Sequence, residues 1–598
     1  MLGHKILQLI PILWIVAAIP LGTVIASDSS AASILSLTEN HREFLSRLAR
    51  RTIGDSVENR APYEPRYVPQ EVRGITAEAV VRLRHHGFLL GTGVGGPSPV
   101  AQATRDAALA AATGLTLDRG SLLPLVDELL VEIELAGPME PIPVVGDWRT
   151  PGMVDGFLEP GVHGLAIQGE GGVRRICPSE MFAADLALAD ALKLLAQGAN
   201  VDPAQVGSAP LLRFRTIHWY EPIAGANTVA LHRGLTLVPI EDVSRAGLDT
   251  AIARLAEYMA YRQLPSGLFS YQFDPAQDEY SDSDNLVRQV GTAVALSTHA
   301  RYYKKSASLA AADNAIRYHL QGLTDIPSKD GASFIATLDK QNKLGVTALL
   351  SIAMAQHPGA EQYDSIRRRL VQGMLTLQRP SGMFVTAFPP AEELSGQDYF
   401  PGEALLALAL EYDRRPSADI LDAFDRAISF YRDYFRDSRS PAFVSWQVQA
   451  FSLIAKHSKR QDYLNFVFEL TDWLADMQLT PANCEWPELH GGVAAKQKDR
   501  VGVATASYLE GFVDALSLAR TVGDSARERR YQKVVREAAR FVMQLQVRSE
   551  EAYFMRSPRD AVGAIRTAPT VNRLRIDHCQ HALLGLIKAR RVLYPDEG

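Results

Sequence analysis

The chain has little of what marks several common classes of protein. Among its 598 residues are only three cysteines, Cys177, Cys484 and Cys579. Three are too few for a disulfide scaffold, and their spacing is not that of a metal site. A single bridge between Cys484 and Cys579 is the alternative to three unpaired thiols. The net charge of -6, spread over this length, leaves no basic domain and argues against nucleic acid as a partner.

Familiar catalytic signatures are also missing. The sequence contains neither a His-Glu-x-x-His motif nor a nucleophile elbow. The glycines at positions 91, 93, 95 and 96 follow neither the dinucleotide-binding nor the P-loop spacing, so phosphate binding there is disfavoured. We expect no bound metal and no cofactor.

The first 26 residues are typical of a signal peptide or a membrane anchor. A short basic start precedes an apolar run over residues 6–26, which ends in a small-x-small sequence suited to cleavage. Because this run is long enough to span a bilayer, an uncleaved membrane anchor is the alternative, although two prolines weaken it. Either way we expect the rest of the chain to be exported, to the periplasm, the extracellular space or the outer face of a membrane.

The remaining composition changes along the chain and predicts a multidomain protein. Residues 27–69 read as a helical lead-in and linker, and residues 70–208 as an α+β domain. In that domain Val131-Glu132-Ile133-Glu134-Leu135 alternates, which predicts a strand with one buried face and one face of carboxylates. Residues 209–241 read as connecting strands, and residues 242–595 as an all-helical domain.

The α+β region resembles the AMMECR1 family. The points of similarity are the alanine-rich stretch from Pro99 to Ala112, the strand around Val131 with its proline-flanked acidic turn, and the segments Pro160 to Leu165 and Ile176 to Glu180. The family's Leu-Arg-Gly-Cys-Ile-Gly segment is absent, and Gly91-Thr92-Gly93 stands in its place. The resemblance therefore implies a fold and carries over no reactive cysteine.

Six repeats of an amphipathic helix, a short turn and a small-residue-rich helix fill the helical region. The predicted turn residues are Phe269, Phe334, Phe384, Phe443, Val493 and Phe554. Their spacing of 50 to 65 residues fits two helices of about four to five turns with two loops. The small residues predict that the second helices pack closely in an inner ring. We therefore predict an (α/α)6 toroid.

Loops at one rim of such a ring surround a central pocket, and the chemistry-bearing residues of the repeats cluster in those loops. For catalysis we consider Asp282, Asp284, Glu403, Glu488, His578 and Tyr271. For substrate binding we consider Arg288, Gln289, Tyr399, Trp446, Trp486, Arg500 and Asp577. Tyr or Trp beside carboxylates and amides suits a sugar ring, whose C–H face stacks on an aromatic ring. A helix cap at Asp282 or Asp284, or core packing of the aromatics, is the structural alternative.

The helical region resembles the six-hairpin toroid enzymes, which include glycoside hydrolases, polysaccharide lyases and sugar epimerases. That resemblance implies a poly- or oligosaccharide substrate. A hydrolase would pair Asp282 or Asp284 with Glu403, Glu485 or Glu488 across the glycosidic bond. A lyase or epimerase would move a proton through Tyr271, Tyr399 or His578, with Arg288 or Arg500 holding a uronate carboxylate. A non-catalytic envelope protein that binds glycan or protein is the alternative.

Overall fold

The structure is a computed structural model that describes residues 33–596, apart from 116–118, 145–147, 149–151, 170–171, 203–206, 208, 328, 337–341, 390–392 and 495–500. The predicted signal peptide or anchor lies outside these residues. None of the helices in the described part is both long and apolar enough to cross a membrane. The chain forms two compact units, Met1–Thr236 with Glu550–Arg556, and Leu237–Ser549 with Ser557–Gly598.

The described residues of the first unit form an eight-stranded antiparallel sheet and six α-helices. The helices are α1 (Glu39–Val57), α2 (Gln70–Arg73), α3 (Val100–Thr113), α4 (Arg119–Leu122), α5 (Pro178–Ala183) and α6 (Leu188–Gly198). The strands are β1 (Thr76–His85), β2 (Phe88–Pro99), β3 (Leu130–Ala136), β4 (Glu140–Pro141), β5 (His163–Gly169), β6 (Gly172–Ile176), β7 (Leu211–Glu221) and β8 (Val229–Leu231). The order is β2-β1-β3-β7-β5-β6, with β4 and β8 also paired to β7. Strand β7, from the segment expected to be a connection, is therefore central to the sheet.

The glycine series in β2 has a packing role. A Cβ atom built on Gly91, Gly93 or Gly95 would lie 2.5, 2.0 or 2.1 Å from a backbone carbonyl oxygen of α3. These are the carbonyls of alanines, at positions 111, 107 and 103. Since no side chain fits at such distances, the glycines let the alanine-rich helix lie directly on the strand.

The carboxylate face of β3 is buried, unlike the face of an ordinary alternating strand. Glu132 and Glu134 are almost fully buried and lie beside Arg82 and Arg84 of β1, with Nη1 of Arg82 3.0 Å from Glu132 and 3.1 Å from Glu134. Burial opposes ionisation, yet Arg84 and Arg82 hold the pKa of Glu132 well below its usual range. The alternation of β3 was predicted correctly. Its carboxylate face is nevertheless buried, because Arg82 and Arg84 of β1 form ion pairs with it.

The second unit is a ring of helical hairpins. Its first, outer helices are α7 (Arg245–Tyr261), α9 (Ser306–Leu320), α11 (Asp364–Thr376), α13 (Ala418–Asp437), α15 (Gln461–Ala475) and α17 (Ser525–Leu545). The inner helices that follow them are α8 (Leu286–Tyr303), α10 (Leu344–Gln356), α12 (Phe400–Arg414), α14 (Pro441–Ser458), α16 (Ala504–Val522) and α18 (Ile576–Leu593). Short strands lie between helices: β9 (Gln272–Asp274), β10 (Glu279–Tyr280), β11 (Leu323–Asp325), β12 (Ser333–Ile335), β13 (Arg566–Ala568) and β14 (Val571–Arg575).

The inner helices close into a ring. Each packs on the next in the order α8, α10, α12, α14, α16, α18, and α18 packs on α8. Glycines permit the close approach: a Cβ atom on Gly345 would lie 2.4 Å from the Glu403 carboxylate, and one on Gly402 would lie 2.5 Å from Cβ of Trp446. The prediction that small residues form a closed inner ring is confirmed.

A glutamine at the end of an outer helix marks the turn in four of the six hairpins. These residues are Gln263, Gln378, Gln478 and Gln546, which bridge to Phe269, Phe384, Val493 and Ile565 respectively. Each side-chain amide donates to the carbonyl of a turn glycine and to a carbonyl of another outer helix. One amide therefore fixes the turn and joins two outer helices.

Two of the six predicted turn residues were wrong. Phe443 lies inside α14, because the connection over residues 438–440 is too short for the turn. Phe554 belongs to the first unit, and Ile565 occupies the turn position of the sixth hairpin. An aromatic residue alone does not define this turn, since the glutamine and the glycine supply its hydrogen bonds.

Candidate active site

The first and last hairpins are joined at the rim by a four-stranded sheet of order β10-β9-β14-β13. Gln272 pairs with Arg575, and the backbone N–H of Ile576 donates to the carbonyl of Tyr271 at 3.1 Å. This pairing sets the N-terminal ends of α8 and α18 side by side. Residues about 300 positions apart in the sequence therefore meet.

At this junction Arg575 and Arg288 enclose the carboxylate of Asp577. Arg575 donates twice to Asp577, at 2.7 and 2.8 Å, and Nε of Arg288 lies 3.1 Å from the same carboxylate. Arg288 also donates to the hydroxyl of Tyr271. Burial favours the neutral acid, but the hydrogen bonds from Arg575 and the positive charges lower the pKa of Asp577 to about 2. Asp577 is therefore an anion that orients guanidinium groups.

Tyr399 reaches the same rim from the start of α12. About half of its side chain is exposed. Burial of the remainder raises the pKa of the Tyr399 hydroxyl; the charge of Asp398 adds to this shift and the charge of Arg288 opposes it. The effect of Arg288 means that the third hairpin lies close to the junction of the first and last. Asp398 in turn accepts a hydrogen bond of 2.9 Å from Tyr434.

His581 occupies the centre of the ring. Its Nδ1 lies 2.7 Å from Oε1 of Glu510 on α16, and its ring lies 5.8 Å from that of Trp446 on α14. Burial opposes protonation, but the hydrogen bond and charge of Glu510 raise the pKa of His581, with Glu403 adding to the effect. The Glu403 carboxylate itself lies against Gly345 of the neighbouring helix α10.

Glu403 is a buried carboxyl group with spare hydrogen-bonding capacity. Its side chain is 4% exposed, and its Oε2 has no hydrogen-bond partner among the described residues. Burial raises its pKa to about 8, and His581 opposes the shift. Glu403 is therefore protonated at neutral pH and can donate a proton.

His578 is the second uncommitted group. It is buried one turn before His581, and its Nδ1 has no hydrogen-bond partner within the part of the chain that is described. Burial lowers its pKa to about 4, and the charge of Asp577 opposes the shift. At neutral pH the imidazole is neutral and can accept a proton.

The ring thus brings together seven of the predicted residues: Tyr271, Arg288, Tyr399, Asp577 and His578 near the rim, with Glu403 on α12 and Trp446 on α14. We call these seven residues with His581 and Glu510 the rim cluster. Within the ring's described residues, no group of three or more His, Cys, Asp or Glu side chains is arranged to hold a metal ion. Cys579, beside His578, is a buried thiol whose pKa burial raises to about 12.

Other predicted residues lie elsewhere. Asp282 and Asp284 are exposed, and Asp284 accepts hydrogen bonds of 2.7 Å from Gln289 and from the N–H of Asn285. Gln289 itself bonds both the N–H and the carbonyl of Phe269, so it supports the first turn. The alternative prediction was that Asp282 or Asp284 caps the helix that follows. The N-terminal cap of α8 is instead Asn285.

The remaining predictions concern the fifth hairpin. Glu488 is buried, and its carbonyl accepts a hydrogen bond of 3.0 Å from Arg540 of the outer helix α17. Trp486 is half-buried in the same loop, and its carbonyl accepts from the thiol of Cys484. Arg500 lies outside the described residues. The roles assigned to these three residues stay predictions.

The sequence interpretation missed Glu510, His581 and Arg575 as members of the site. Glu510 is an acidic residue six positions into a small-residue-rich inner helix, where burying a carboxylate is costly unless it has a partner. His581 offers no sequence signal beyond its position one helical turn after His578. Arg575 lies only two residues before its partner Asp577, but its place beside Arg288 depends on the pairing of β9 with β14.

No family model matches the chain, and no curated protein matches it. Several solved structures are similar. An α-1,6-mannanase from Salegentibacter is 10% identical, with 58% of this chain and 99% of that chain covered and a TM-score of 0.43. A sugar epimerase from a ruminal bacterium is 10% identical, with coverages of 51% and 88% and a TM-score of 0.39. An uncharacterized protein from Pyrococcus horikoshii is 20% identical, with coverages of 33% and 98% and a TM-score of 0.29.

Proposed function

We propose that the protein is an exported carbohydrate-active enzyme that acts on a poly- or oligosaccharide by acid–base chemistry at the rim cluster. The observation that carries this proposal is that two inner helices each bury a proton-transfer group with an uncommitted atom, Oε2 of Glu403 on α12 and Nδ1 of His578 on α18. Buried polar groups are normally satisfied by hydrogen bonds, and unsatisfied ones concentrate at catalytic sites.

The roles follow from the protonation states. Glu403 carries a proton at neutral pH and donates it, whereas neutral His578 accepts one. Arg288, part-exposed at the rim, binds a carboxylate of the substrate, and Asp577 holds Arg288 in place. Tyr399 offers an exposed aromatic face for a sugar ring. The sugar itself is inferred from the resemblance to six-hairpin enzymes and from this mixture of aromatic and polar groups.

This arrangement favours a lyase or an epimerase over a hydrolase. In such a reaction His578 takes the proton from the carbon next to a uronate carboxylate. Glu403 then protonates either the departing glycosidic oxygen or the opposite face of the same carbon. A hydrolase would need a second carboxylate as base or nucleophile, and Asp577 is held by two guanidinium groups that keep it weakly basic.

A non-catalytic envelope protein that binds glycan or protein is the second candidate. The contact between Trp446 and His581 favours it, because these side chains from α14 and α18 fill part of the ring's centre. For the first unit we propose an AMMECR1-like fold. In a non-catalytic envelope protein this unit would serve as a spacer. Export depends on residues 1–26.

The experiment is incubation of the protein with neutral, amino and uronic polysaccharides in deuterated water, followed by mass spectrometry of the products. An unsaturated or epimerised uronate with deuterium at the abstracted carbon is the expected result. Glu403→Gln and His578→Asn should each lower the rate at least a hundredfold, whereas Glu361→Gln, at an exposed glutamate, should not.

Other outcomes are equally decisive. Shortened products that have gained only water would identify a hydrolase and overturn the roles given to His578. Binding of a glycan with no product at all would support the non-catalytic candidate.

A further inference from the structure

The ring contains a second cavity on the side of the C-terminal ends of the inner helices. It has a volume of about 490 Å³ and is lined by residues from all six inner helices. Its inner end reaches Trp446 and Glu510, so the rim cluster forms its roof. A volume of this size is within the range of small-molecule sites.

The walls of the cavity change in character along the ring axis. Leu406, Ile352 and Leu584, near the middle of their helices or beyond it, line an apolar part. Lys456 and Arg591 line it in the last turns of α14 and α18. Leu584 and Arg591 are seven residues apart on one helix, which corresponds to about 10 Å along the axis. The cavity is therefore apolar inside and cationic towards the helix ends.

The two cations at that end are not neutralised by acidic residues. Within the described part of the chain neither Lys456 nor Arg591 forms an ion pair. Lys456 donates to the hydroxyl of Ser517 at 3.1 Å, and the guanidinium of Arg591 lies 3.8 Å from the ring centre of Tyr302. Deeper in, Lys588 is neutralised by Asp514 at 2.8 Å.

A buried hydroxyl in the wall also lacks a partner. Ser452 is 1% exposed, and its Oγ has no hydrogen-bond partner among the described residues, although it lines the cavity. Basic residues at helix C-termini usually offset the negative end of the helix dipole. Arg301 and Arg520 do so at the ends of α8 and α16 without lining the cavity, whereas Lys456 and Arg591 line it.

We propose that this cavity is a second binding site, for an amphipathic monoanion with a carboxylate or phosphate head and a short aliphatic chain. The chain lies among Leu406, Ile352 and Leu584, and the head lies between Lys456 and Arg591. Because Glu510 belongs both to the cavity wall and to the pair with His581, a ligand here contacts the rim cluster from below.

The test uses the full chain and isothermal titration calorimetry with octanoate and octyl phosphate as probes. At least one of them is expected to bind saturably at one site per chain, and at least tenfold more tightly than octanol or octylammonium. The better of the two identifies the head group. The absence of saturable binding by either probe, or octanol binding as tightly as both, would overturn the proposal.

Variants locate the site. The double variant Lys456→Met with Arg591→Met should weaken binding at least tenfold, and Leu410→Trp should abolish it by filling the cavity. Lys459→Met is the matched control, since Lys459 is an exposed lysine just beyond the same helix and does not line the cavity. Circular dichroism checks folding. Unchanged affinity in a folded double variant would place the binding elsewhere and contradict the proposal.

Discussion

Oε1 of Glu510 lies 2.7 Å from Nδ1 of His581, on neighbouring inner helices at the centre of the ring. The carboxylate is buried, and the imidazole is largely so. The pair therefore links the rim cluster to the 490 Å³ cavity, because Glu510 also lines that cavity. A charged hydrogen bond in this position both supports the ring and sets the charge that Glu403 faces.

We predict that Glu510→Gln lowers the pKa of His581 and destabilises the protein by about 1–3 kcal/mol near pH 6. The pKa of His581 is raised in the folded state, so its contribution is complete below the ordinary histidine pKa and is lost as pH rises through the folded value. Urea unfolding near pH 6 and pH 9 measures the change. Glu528→Gln, which breaks the half-exposed pair with Arg520, is the control and should cost less than about 1 kcal/mol. Equal losses at both pH values would contradict the prediction.

Glu403 should make stability fall as pH rises. Its pKa is about 8 in the folded state and near 4.5 when unfolded, so the neutral form stabilises the fold below about pH 4.5. That contribution is lost between these values, at roughly 1.4 kcal/mol for each unit of pKa difference. Unfolding free energies measured at several pH values should show Glu403→Gln gaining on the wild type towards pH 8. Parallel curves would mean that Glu403 is not buried as described.

Asp577 should show the opposite dependence. Its folded pKa of about 2 lies below the unfolded value of 3.8, so its contribution is present above about pH 4 and is lost as pH falls towards 2. Asp577→Asn is expected to cost roughly 2 kcal/mol at neutral pH and less near pH 3. The control is Asp282→Asn. Asp282 is an exposed aspartate of the first hairpin, so this change should alter stability by less than about 0.5 kcal/mol. Urea titrations at the two pH values distinguish the variants.

The turn glycines should tolerate substitution very differently. Gly382 has a φ of +96°, and a Cβ atom there would lie 2.0 Å from the carbonyl oxygen of Arg426. Gly382→Ala should therefore cost at least about 3 kcal/mol, from backbone strain and overlap together. Gly331→Ala, with a φ of +73° and nothing within 4 Å, should cost only about 1 kcal/mol. Comparable thermal melting of the two variants would refute this ranking.

Gln546 closes the ring between the last and first hairpins. Its amide donates to the carbonyls of Ala251 at 3.0 Å and Gly563 at 3.1 Å. Gln546→Leu removes both hydrogen bonds from a buried position and should cost roughly 2–4 kcal/mol. Hydrogen exchange should then accelerate in α7 before it does so in α13. An exchange pattern identical to that of the wild type would show that the amide is dispensable.

Much of the ring was predictable from local sequence. Helix pairs about 57 residues apart, with small residues in every second helix, require a closed inner ring because helices can approach closely only where side chains are small. The turn residues were less predictable. Phe443 and Phe554 look like the other turn aromatics, while the better signal is the recurring Gln263, Gln378, Gln478 and Gln546.

The rim cluster was predictable only in part. Arg288 and Asp577 stand out as polar residues in the first turns of inner helices and Tyr271 as a polar aromatic in the preceding turn, and the ring does bring them together. Asp282 and Asp284 look equally suitable in sequence, yet their backbone directs them to solvent and to Gln289. A short polar segment does not specify which of its side chains faces the axis.

The sequence by itself determined the repeat, the helix types and the residue classes at the rim, since periodicity and side-chain size are local properties. Only the tertiary structure decided which charges meet. Ring closure places α18 beside α8 and α16, so Asp577 reaches Arg288 and His581 reaches Glu510. Protonation depends on burial and on neighbours from distant hairpins, and neither can be read from the positions of residues along the chain.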